Sequence, residues 1–349
     1  MQLNKRIVAV GTVLAAVIAL AAVAAATSSA KSAKPSADEL RGAGATFPFP
    51  LISQWLPAYE KATGVKVSYN SVGSGAGIAA ITNREVDFGA SDAPLTPDQF
   101  SACKGCVQIP WVLSANSVMY RLDGVKNNLR ITGPIIADIY LGKITRWNAK
   151  PIKALNKGVN LPNEKITPIF RSDGSGTTYN FTDYLSTVSK RFKRRVGYST
   201  QVNFPVGVGG RGSSGVSAVL SRTNGGIAYA DIAYALKNHL QFFKVKNKAG
   251  KFVTPGLRAI AAAASTVKKV PKSNEMHITD PPKSKPLAYP ICTFSYVLLP
   301  LKSSKAAALR KFVTWALTKG QAYGPPLKFY PIPKVVRTAS TKTLKRVKS

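Results

Sequence analysis

Four short segments rich in glycine and hydroxyl side chains recur along this chain, each where a loop enters a helix pattern. They read GAGATF at 42–47, GSGAG at 73–77, RSDGSGT at 171–177 and GGRGSSG at 209–215. Strands that alternate with such helices predict an α/β protein, in which helices cover a sheet. The start of a helix also presents free backbone N–H groups at the positive end of the helix dipole, which favours a bound anion.

Two long apolar stretches, Ile109 to Tyr120 and Tyr289 to Leu301, predict extended strands. With 349 residues, the chain is long enough for two domains. If both strands cross between the domains, they form a hinge. We therefore expect lobe I to contain residues 41–112 and 290–335, and lobe II to contain residues 113–289.

The two ends of the chain differ from the rest in composition. An apolar run at 7–26 follows two basic residues and precedes small side chains. This pattern is typical of a secretory signal peptide over residues 1–30, although a run of this length can also remain as a membrane anchor. Residues 31–40 form a polar linker. Residues 336–349 form a basic tail, for which the charge predicts partial disorder.

Basic residues outnumber acidic ones, 49 to 15, so the formal net charge is +34. Such a surface attracts anions of every kind and by itself identifies no partner. The run KRFKRR at 190–195 either steers anions or is a solvated helix face. No base-stacking motif or base-reading helix accompanies the charge, so we do not expect a nucleic-acid partner.

The cysteines predict a structural role. In an exported chain, Cys103 and Cys106 are expected to form a disulfide that pins a short loop. A redox pair is the alternative, but it needs a helix that starts at Cys103, whereas the preceding residues predict a helix end. The two distant histidines, His239 and His277, add too few ligands for a metal site, so we expect no metal.

The segment at 171–177 has the strongest anion-binding pattern. Arg171 follows a predicted strand, and its planar guanidinium can hold two oxygens of a tetrahedral oxyanion. Asp173 is placed to orient that guanidinium, and Ser175 to Thr177 open the next helix. The alternative is an ordinary capped helix with a surface Arg–Asp pair.

The other glycine segments add donors of the same kind. Thr46 and Phe47 can offer a hydroxyl and two N–H groups, and Ser74 can cap its helix and donate outward. Each of these segments, taken alone, equally suits a capped helix. The segment at 209–215 can act in the same way or form a mobile loop.

Asp92 follows a predicted strand, where a carboxylate often caps a turn. Inside an anion pocket it would repel the ligand, unless the ligand carries a proton that it can donate. Phosphate near neutral pH carries one or two protons and sulfate carries none. An acceptor at Asp92 would therefore reject sulfate.

Taken together, these segments resemble the substrate-binding protein of bacterial phosphate ABC importers. The resemblance spans residues 40 to 335 and is carried by GAGATFP at 42–48, GSG at 73–75, VDFGASDAPL at 86–95, YLGKITRWN at 140–148 and RSDGSGT at 171–177. It implies a two-lobed periplasmic-binding-protein (type II) fold, with two βα sandwich lobes joined by a two-strand hinge. It also implies phosphate oxygens held by Ala45, Thr46, Phe47, Ser74, Asp92, Arg171, Ser175, Gly176 and Thr177, with Asp173 behind Arg171.

The resemblance implies capture of inorganic phosphate between the lobes, without a cofactor. It further implies an exported, monomeric protein at the cell envelope, which delivers its ligand to a permease of two transmembrane subunits with a cytoplasmic ATPase. The alternative is a secreted phosphatase or esterase with Ser175 or Thr177 as the nucleophile. That enzyme would need a general base, and the chain contains no GxSxG motif.

Overall fold

The computed structural model describes residues 39–125 and 129–349, in which strands and helices alternate as the sequence predicts. The strands are β1 (Leu40–Gly44), β2 (Val67–Ser71), β3 (Phe88–Ser91), β4 (Cys106–Arg121), β5 (Arg130–Thr132), β6 (Thr167–Arg171), β7 (Val208–Gly210), β8 (Gly226–Asp231), β9 (Gln241–Phe242), β10 (Lys244–Lys246), β11 (Phe252–Val253) and β12 (Cys292–Pro300).

The helices lie between these strands. They are α1 (Phe49–Thr63), α2 (Ser74–Thr82), α3 (Pro97–Ala102), α4 (Gly133–Tyr140), α5 (Lys150–Leu155), α6 (Gly176–Val188), α7 (Lys190–Arg195), α8 (Gly212–Leu220), α9 (Ile232–Lys237), α10 (Leu257–Ala264), α11 (Ala306–Leu317) and α12 (Lys334–Leu344). Short 3-10 turns at Lys319–Tyr323 and Pro325–Leu327 follow α11.

The main sheet has nine strands in the order β2-β1-β3-β12-β4-β8-β6-β7, with β9 beside β4. We call the half built on β1, β2, β3 and β12 lobe I, and the half built on β6, β7 and β8 lobe II. β1 is parallel to β2 and β3, and β6 is parallel to β7 and β8. The carboxyl ends of parallel strands share one sheet edge, so each lobe presents its strand-to-helix loops together.

β4 connects the lobes because it changes its partner along its length. Its first part, through Ala115, pairs with β12, and its second part, from Asn116, pairs with β8. The chain returns to lobe I just before β12, where the Asn116 N–H donates to the Ile291 carbonyl (2.8 Å). Both crossings therefore lie side by side, as a hinge requires. The lobe boundaries given above remain predictions.

Buried aromatic side chains hold each half of the sheet to its helices. In lobe I, Trp55 of α1 meets Trp111 of β4 edge to face, with ring centroids 5.3 Å apart. In lobe II, Phe181 of α6 stacks on Tyr229 of β8 at 4.1 Å. Such pairs add about 0.5–1.5 kcal/mol each beyond the area that they bury. They bring the N-terminal turn of each helix to the edge of the sheet.

The C-terminal residues do not form the partly disordered tail that their charge predicts. Residues 334–344 are a helix, α12, whose Val336, Ser340 and Leu344 are buried at a spacing of four residues. The Ser340 hydroxyl donates to the Pro110 carbonyl of β4 (2.9 Å). Packing of this narrow face outweighs the repulsion among the basic residues, which point outward. The prediction of disorder was therefore wrong.

Cys103 and Cys106 form a disulfide, with their Cα atoms 5.6 Å apart, and Cys292 is buried and unpaired. The predicted signal peptide, residues 1–30, lies outside the described residues, as does most of the linker. Within residues 39–125 and 129–349, no helix has the length and apolar character needed to cross a membrane. The same ranges contain no group of three or more His, Cys, Asp or Glu side chains placed to hold a metal ion.

Candidate anion-binding site between the lobes

The glycine segments predicted from the sequence meet where the two lobes face each other. Thr46, three residues before α1, contacts Ser213 in the first turn of α8: the Ser213 N–H donates to Thr46 Oγ1 (3.1 Å), and the two hydroxyl oxygens are 2.8 Å apart. The Tyr234 hydroxyl of α9 donates to the Thr46 carbonyl (2.6 Å). Lobe II thus holds the first glycine loop of lobe I from two sides.

Ser74 joins three segments through one buried hydroxyl. Its Oγ accepts from the Asp92 N–H (3.2 Å) at the end of β3 and from the Gly176 N–H (3.0 Å) at the start of α6. Next to it, the Gly75 N–H donates to the Gly174 carbonyl (2.9 Å). The second and third glycine segments are therefore in direct contact across the lobes.

Arg171, at the end of β6, is the buried cation of the site. Its side chain is 1% exposed and its guanidinium forks onto Asp173, with Nε to Oδ1 at 2.7 Å and Nη2 to Oδ2 at 2.5 Å. Its remaining nitrogen, Nη1, reaches the Ser213 hydroxyl at 3.5 Å. Burial raises the pKa of Asp173, but Arg171 and the Gly212 N–H outweigh it and hold that pKa below its ordinary value. Asp173 is thus a carboxylate that orients Arg171.

Asp92 is a buried carboxyl group surrounded by hydroxyl donors. Its Oδ1 accepts from the Ser295 hydroxyl (2.7 Å), and its Oδ2 accepts from the Thr177 hydroxyl at 3.4 Å. Burial raises the pKa of Asp92 to about 7, and Ser295, Arg171 and Thr177 oppose that rise. A carboxyl group poised near neutrality can accept a proton from a ligand or offer one.

Backbone N–H groups complete the set of donors. Within the described ranges, the N–H groups of Thr46, Phe47 and Thr177 have no protein acceptor. Ser175 caps α6 by accepting from the Thr178 N–H (3.1 Å), which leaves its own proton to donate. The Ala45 N–H is already bonded to the Ala90 carbonyl (2.9 Å), so Ala45 positions the loop without offering this donor.

Sequence reasoning missed three side chains of this site. Ser213 lies in the glycine segment at 209–215, so the sequence did contain a signal for it, although that segment had the weakest anion-binding pattern. Tyr234 lies in the first turn of α9, which no glycine segment precedes, and Ser295 lies inside the apolar strand β12. Neither position carries a local motif, because each reaches the site only through the pairing of distant strands.

Several groups of the site suit a small oxyanion that carries hydrogen. One guanidinium, several hydroxyl groups and free N–H groups are donors, and Asp92 can be the acceptor. Arg171 and Asp92 lie in opposite lobes, so a ligand between them would contact both lobes. An open groove of about 680 Å³ lies elsewhere, between α1, α11 and α12, and none of its lining residues belongs to the glycine segments.

Comparisons with known proteins give the family. A family model described as a PBP superfamily domain matches residues 29–319. The phosphate-binding protein PstS of Xylella fastidiosa (strain Temecula1) is 40% identical over 309 residues, which cover 86% of this chain and 84% of that protein. The chain belongs to the PstS family. The PstS of Haemophilus influenzae is 38% identical over 301 residues, which cover 85% and 90% of the two chains.

Solved structures share the PstS-family fold at lower identity. One is a high-affinity periplasmic phosphate-binding protein with bound phosphate, at 21% identity and a TM-score of 0.70 over 86% of this chain and 92% of that one. Another is the phosphate-binding protein of Stenotrophomonas maltophilia, at 19% identity and a TM-score of 0.67 over 87% and 93%. The predicted two-lobed periplasmic-binding fold is therefore confirmed.

Gly176 offers a test of how closely the two lobes must approach in this PstS-family site. A Cβ atom at Gly176 would lie 2.5 Å from the Ala93 nitrogen and 2.7 Å from the Asp92 carbonyl carbon. Both are backbone atoms, so the start of α6 would have to move away from β3. We expect Gly176→Ala to weaken anion binding about tenfold or more, because overpacking of this kind costs about 1–3 kcal/mol.

Gly256→Ala is the matched control for that variant. A Cβ atom at Gly256 meets nothing within 4 Å, and the backbone there is extended. Isothermal titration calorimetry of both variants makes the comparison. Equal affinities for the two would contradict a requirement for close approach at Gly176.

Proposed function

We infer that this protein captures inorganic phosphate between its two lobes. The observation that carries this inference is the presence of a buried cation, Arg171, and a buried acceptor, Asp92, in the two lobes at their interface. A cation alone would suit any oxyanion, whereas the acceptor selects one that carries a proton. Relatives named as phosphate-binding proteins, 36–40% identical to this chain, support the same ligand.

The energetics of the proposed donors suit tight binding. Enclosing a dianion removes its hydration shell, so many donors must replace the lost water. Micromolar affinity needs about 8 kcal/mol. Charge-assisted hydrogen bonds contribute about 1.5–3 kcal/mol each, so Thr46, Phe47, Ser74, Arg171 and the first turn of α6 together exceed the requirement. The excess offsets the cost of closing and ordering the lobes.

We further propose how the captured phosphate is used. The closed, monomeric protein would act in the cell envelope, in the periplasm or at the outer face of the cytoplasmic membrane or cell wall. There it would dock on a permease of two transmembrane subunits with a cytoplasmic ATPase. Export by the N-terminal segment belongs to the same proposal. Names of relatives as PstS proteins support a transport role.

The phosphatase or esterase alternative is not favoured, since the reported relatives are named as binding proteins. The geometry also gives Ser175 another task, because its oxygen caps α6. His277 Nδ1 lies 3.6 Å from Asp183 Oδ2, two turns further along α6. It is therefore not committed to Ser175 as a general base.

Equilibrium dialysis of the chain without residues 1–30 tests the ligand. We expect labelled phosphate to be retained and not displaced by a large excess of sulfate. Incubation with an aryl phosphate is expected to release no phenol. Retention of sulfate as tightly as phosphate would contradict the proposal, and so would turnover that Ser175→Ala abolishes.

A further inference from the structure

Two buried polar side chains face each other where β4 changes its partner. Asn116 is the first residue of β4 that pairs with β8, and the residue directly opposite is Asp231, the last residue of β8. Both are fully buried. Directly opposed residues of antiparallel strands carry their side chains on one face, with Cβ atoms about 4.5–5.5 Å apart.

The orientation of the Asn116 amide is determined by its partner. Its Nδ2 donates to the Thr177 carbonyl in the first turn of α6 (3.0 Å). A flipped amide would turn its oxygen toward that carbonyl, so two acceptors would meet. In this orientation, Asn116 Oδ1 is buried and has no donor among residues 39–125 and 129–349.

The Asp231 carboxyl group has one satisfied oxygen and one unsatisfied oxygen. Its Oδ1 caps α9 by accepting from the Ala233 N–H (2.8 Å). Its Oδ2 is buried without a partner within the described part of the chain. A carboxylate here would set an acceptor beside the Asn116 acceptor, and buried unpaired acceptors are costly. One proton on Asp231 would satisfy both atoms.

We propose that Asp231 is uncharged in the folded protein and donates a hydrogen bond from Oδ2 to Asn116 Oδ1. The bond holds the Asn116 amide on the Thr177 carbonyl and so positions the first turn of α6 at the hinge. Asp231 is thus a positioning residue for the phosphate site. The effect of Asp231 on phosphate binding rests on the function proposed above, whereas the proposal that Asp231 is protonated does not depend on that function.

The groups around Asp231 favour the uncharged form. Burial raises the pKa of Asp231 well above its ordinary value; the Ser114 hydroxyl and the N–H groups of Ala233 and Ile232 oppose the rise, and Asp92 adds to it. Tyr234 also faces the carboxyl group, and Arg171 acts on both Tyr234 and Asp92.

Asp231→Asn tests the protonation, because the new amide can cap α9 through its oxygen and donate to Asn116 through its nitrogen. Ionisation of Asp231 in the unfolded chain, from about pH 4 upward, removes stability from the wild type as pH rises toward the folded-state pKa. The variant lacks this loss. We expect its melting temperature to exceed that of the wild type near pH 7, by an amount that grows as pH rises above about 4.

The exposed Asp98 of α3 supplies the control, and Asp98→Asn should follow the wild-type pH profile. A pH profile of Asp231→Asn that is parallel to the wild type would overturn the proposal. So would a variant less stable than the wild type at neutral pH. Either result would mean that Asp231 is charged in the folded state.

Measured phosphate affinity distinguishes a positioning role of Asp231 from a role in protein stability alone. We expect Asp231→Asn to keep the wild-type affinity within about twofold, and Asp231→Ala to lose about tenfold, because alanine leaves Asn116 Oδ1 and the Ala233 N–H unpaired. Equal affinity for wild type and Asp231→Ala would refute the positioning role. If the wild type bound no phosphate, the proposed function would fail, while the pH profile would still test the protonation.

Discussion

Replacing Arg171 by alanine is expected to weaken phosphate binding by about 100-fold or more. A hydrogen bond to a charged group contributes about 1.5–3 kcal/mol, and the buried guanidinium offers more than one such bond. The change also leaves the Asp173 carboxylate without the guanidinium that it binds through both oxygens. An unpaired negative charge beside an anion site adds repulsion to the lost attraction.

The matched control is Arg191→Ala on α7. Arg191 also pairs with an aspartate, Asp138, at 3.2 Å, but its side chain is 60% exposed. We expect this variant to bind phosphate as the wild type does, because exposed ion pairs contribute at most about 1 kcal/mol. Isothermal titration calorimetry measures both. If Arg171→Ala binds as well as Arg191→Ala, Arg171 is not part of the site.

Asp92→Asn is expected to remove most of the discrimination between phosphate and sulfate. An amide of the same shape offers a donor to either anion, whereas the wild-type carboxylate accepts a proton from phosphate and repels sulfate. At about pH 9, where nearly all Asp92 carboxyl groups with a pKa of about 7 are ionised, we expect sulfate affinity to rise by about 100-fold relative to phosphate, since the variant removes a buried contact between two negative groups. Competition between labelled phosphate and sulfate in dialysis measures this ratio.

The exposed Asp98 again supplies the control, and Asp98→Asn should leave the ratio unchanged. A ratio that Asp92→Asn also leaves unchanged would reject Asp92 as the acceptor for the ligand proton. Both variants replace an aspartate by an asparagine, and the two positions lie close in the chain. Comparison of the two therefore removes the general effect of losing one negative charge.

The wild type should show a related pH dependence. Because the pKa of Asp92 is raised to about 7, the neutral form becomes populated as pH falls below about 7. The neutral carboxyl group can donate to sulfate, so we expect discrimination against sulfate to weaken from about pH 8 to about pH 6. Asp92→Asn should lack this trend, and competition dialysis at several pH values measures it.

Local signals in the sequence predicted most elements of the fold. The helix that follows Phe49 ends where Gly64 adopts a positive φ of 73°, as its position in the apolar pattern predicts. Apolar residues at helical spacing between positions 305 and 318 likewise predict a helix, and α11 occupies Ala306–Leu317. Helix α10 lies in the region 237–287, where many prolines and lysines obscure the apolar period, so the sequence pattern does not predict it. Elements whose apolar pattern and end signals are set by neighbouring residues were predicted, and elements without such local signals were not.

The residues proposed to bind the ligand also fall into two groups, those with a local sequence signal and those without one. Thr46, Ser74, Arg171 and Ser175 lie in glycine segments, where chain geometry and helix starts are local properties that a sequence reveals. Tertiary structure alone brings Ser213 to Thr46 and Ser295 to Asp92, since the members of each pair are 167 and 203 residues apart.

By itself, the sequence determined the alternation of strands and helices, the loops that expose N–H groups, and the presence of one arginine and one aspartate among them. Only the tertiary structure decided that Asp92 is buried among hydroxyl donors, and that Asp231 faces Asn116 at the crossing of the lobes. The physical reason is that backbone conformation depends on nearby residues. Desolvation and the pairing of buried polar atoms depend instead on which distant segments exclude water from them.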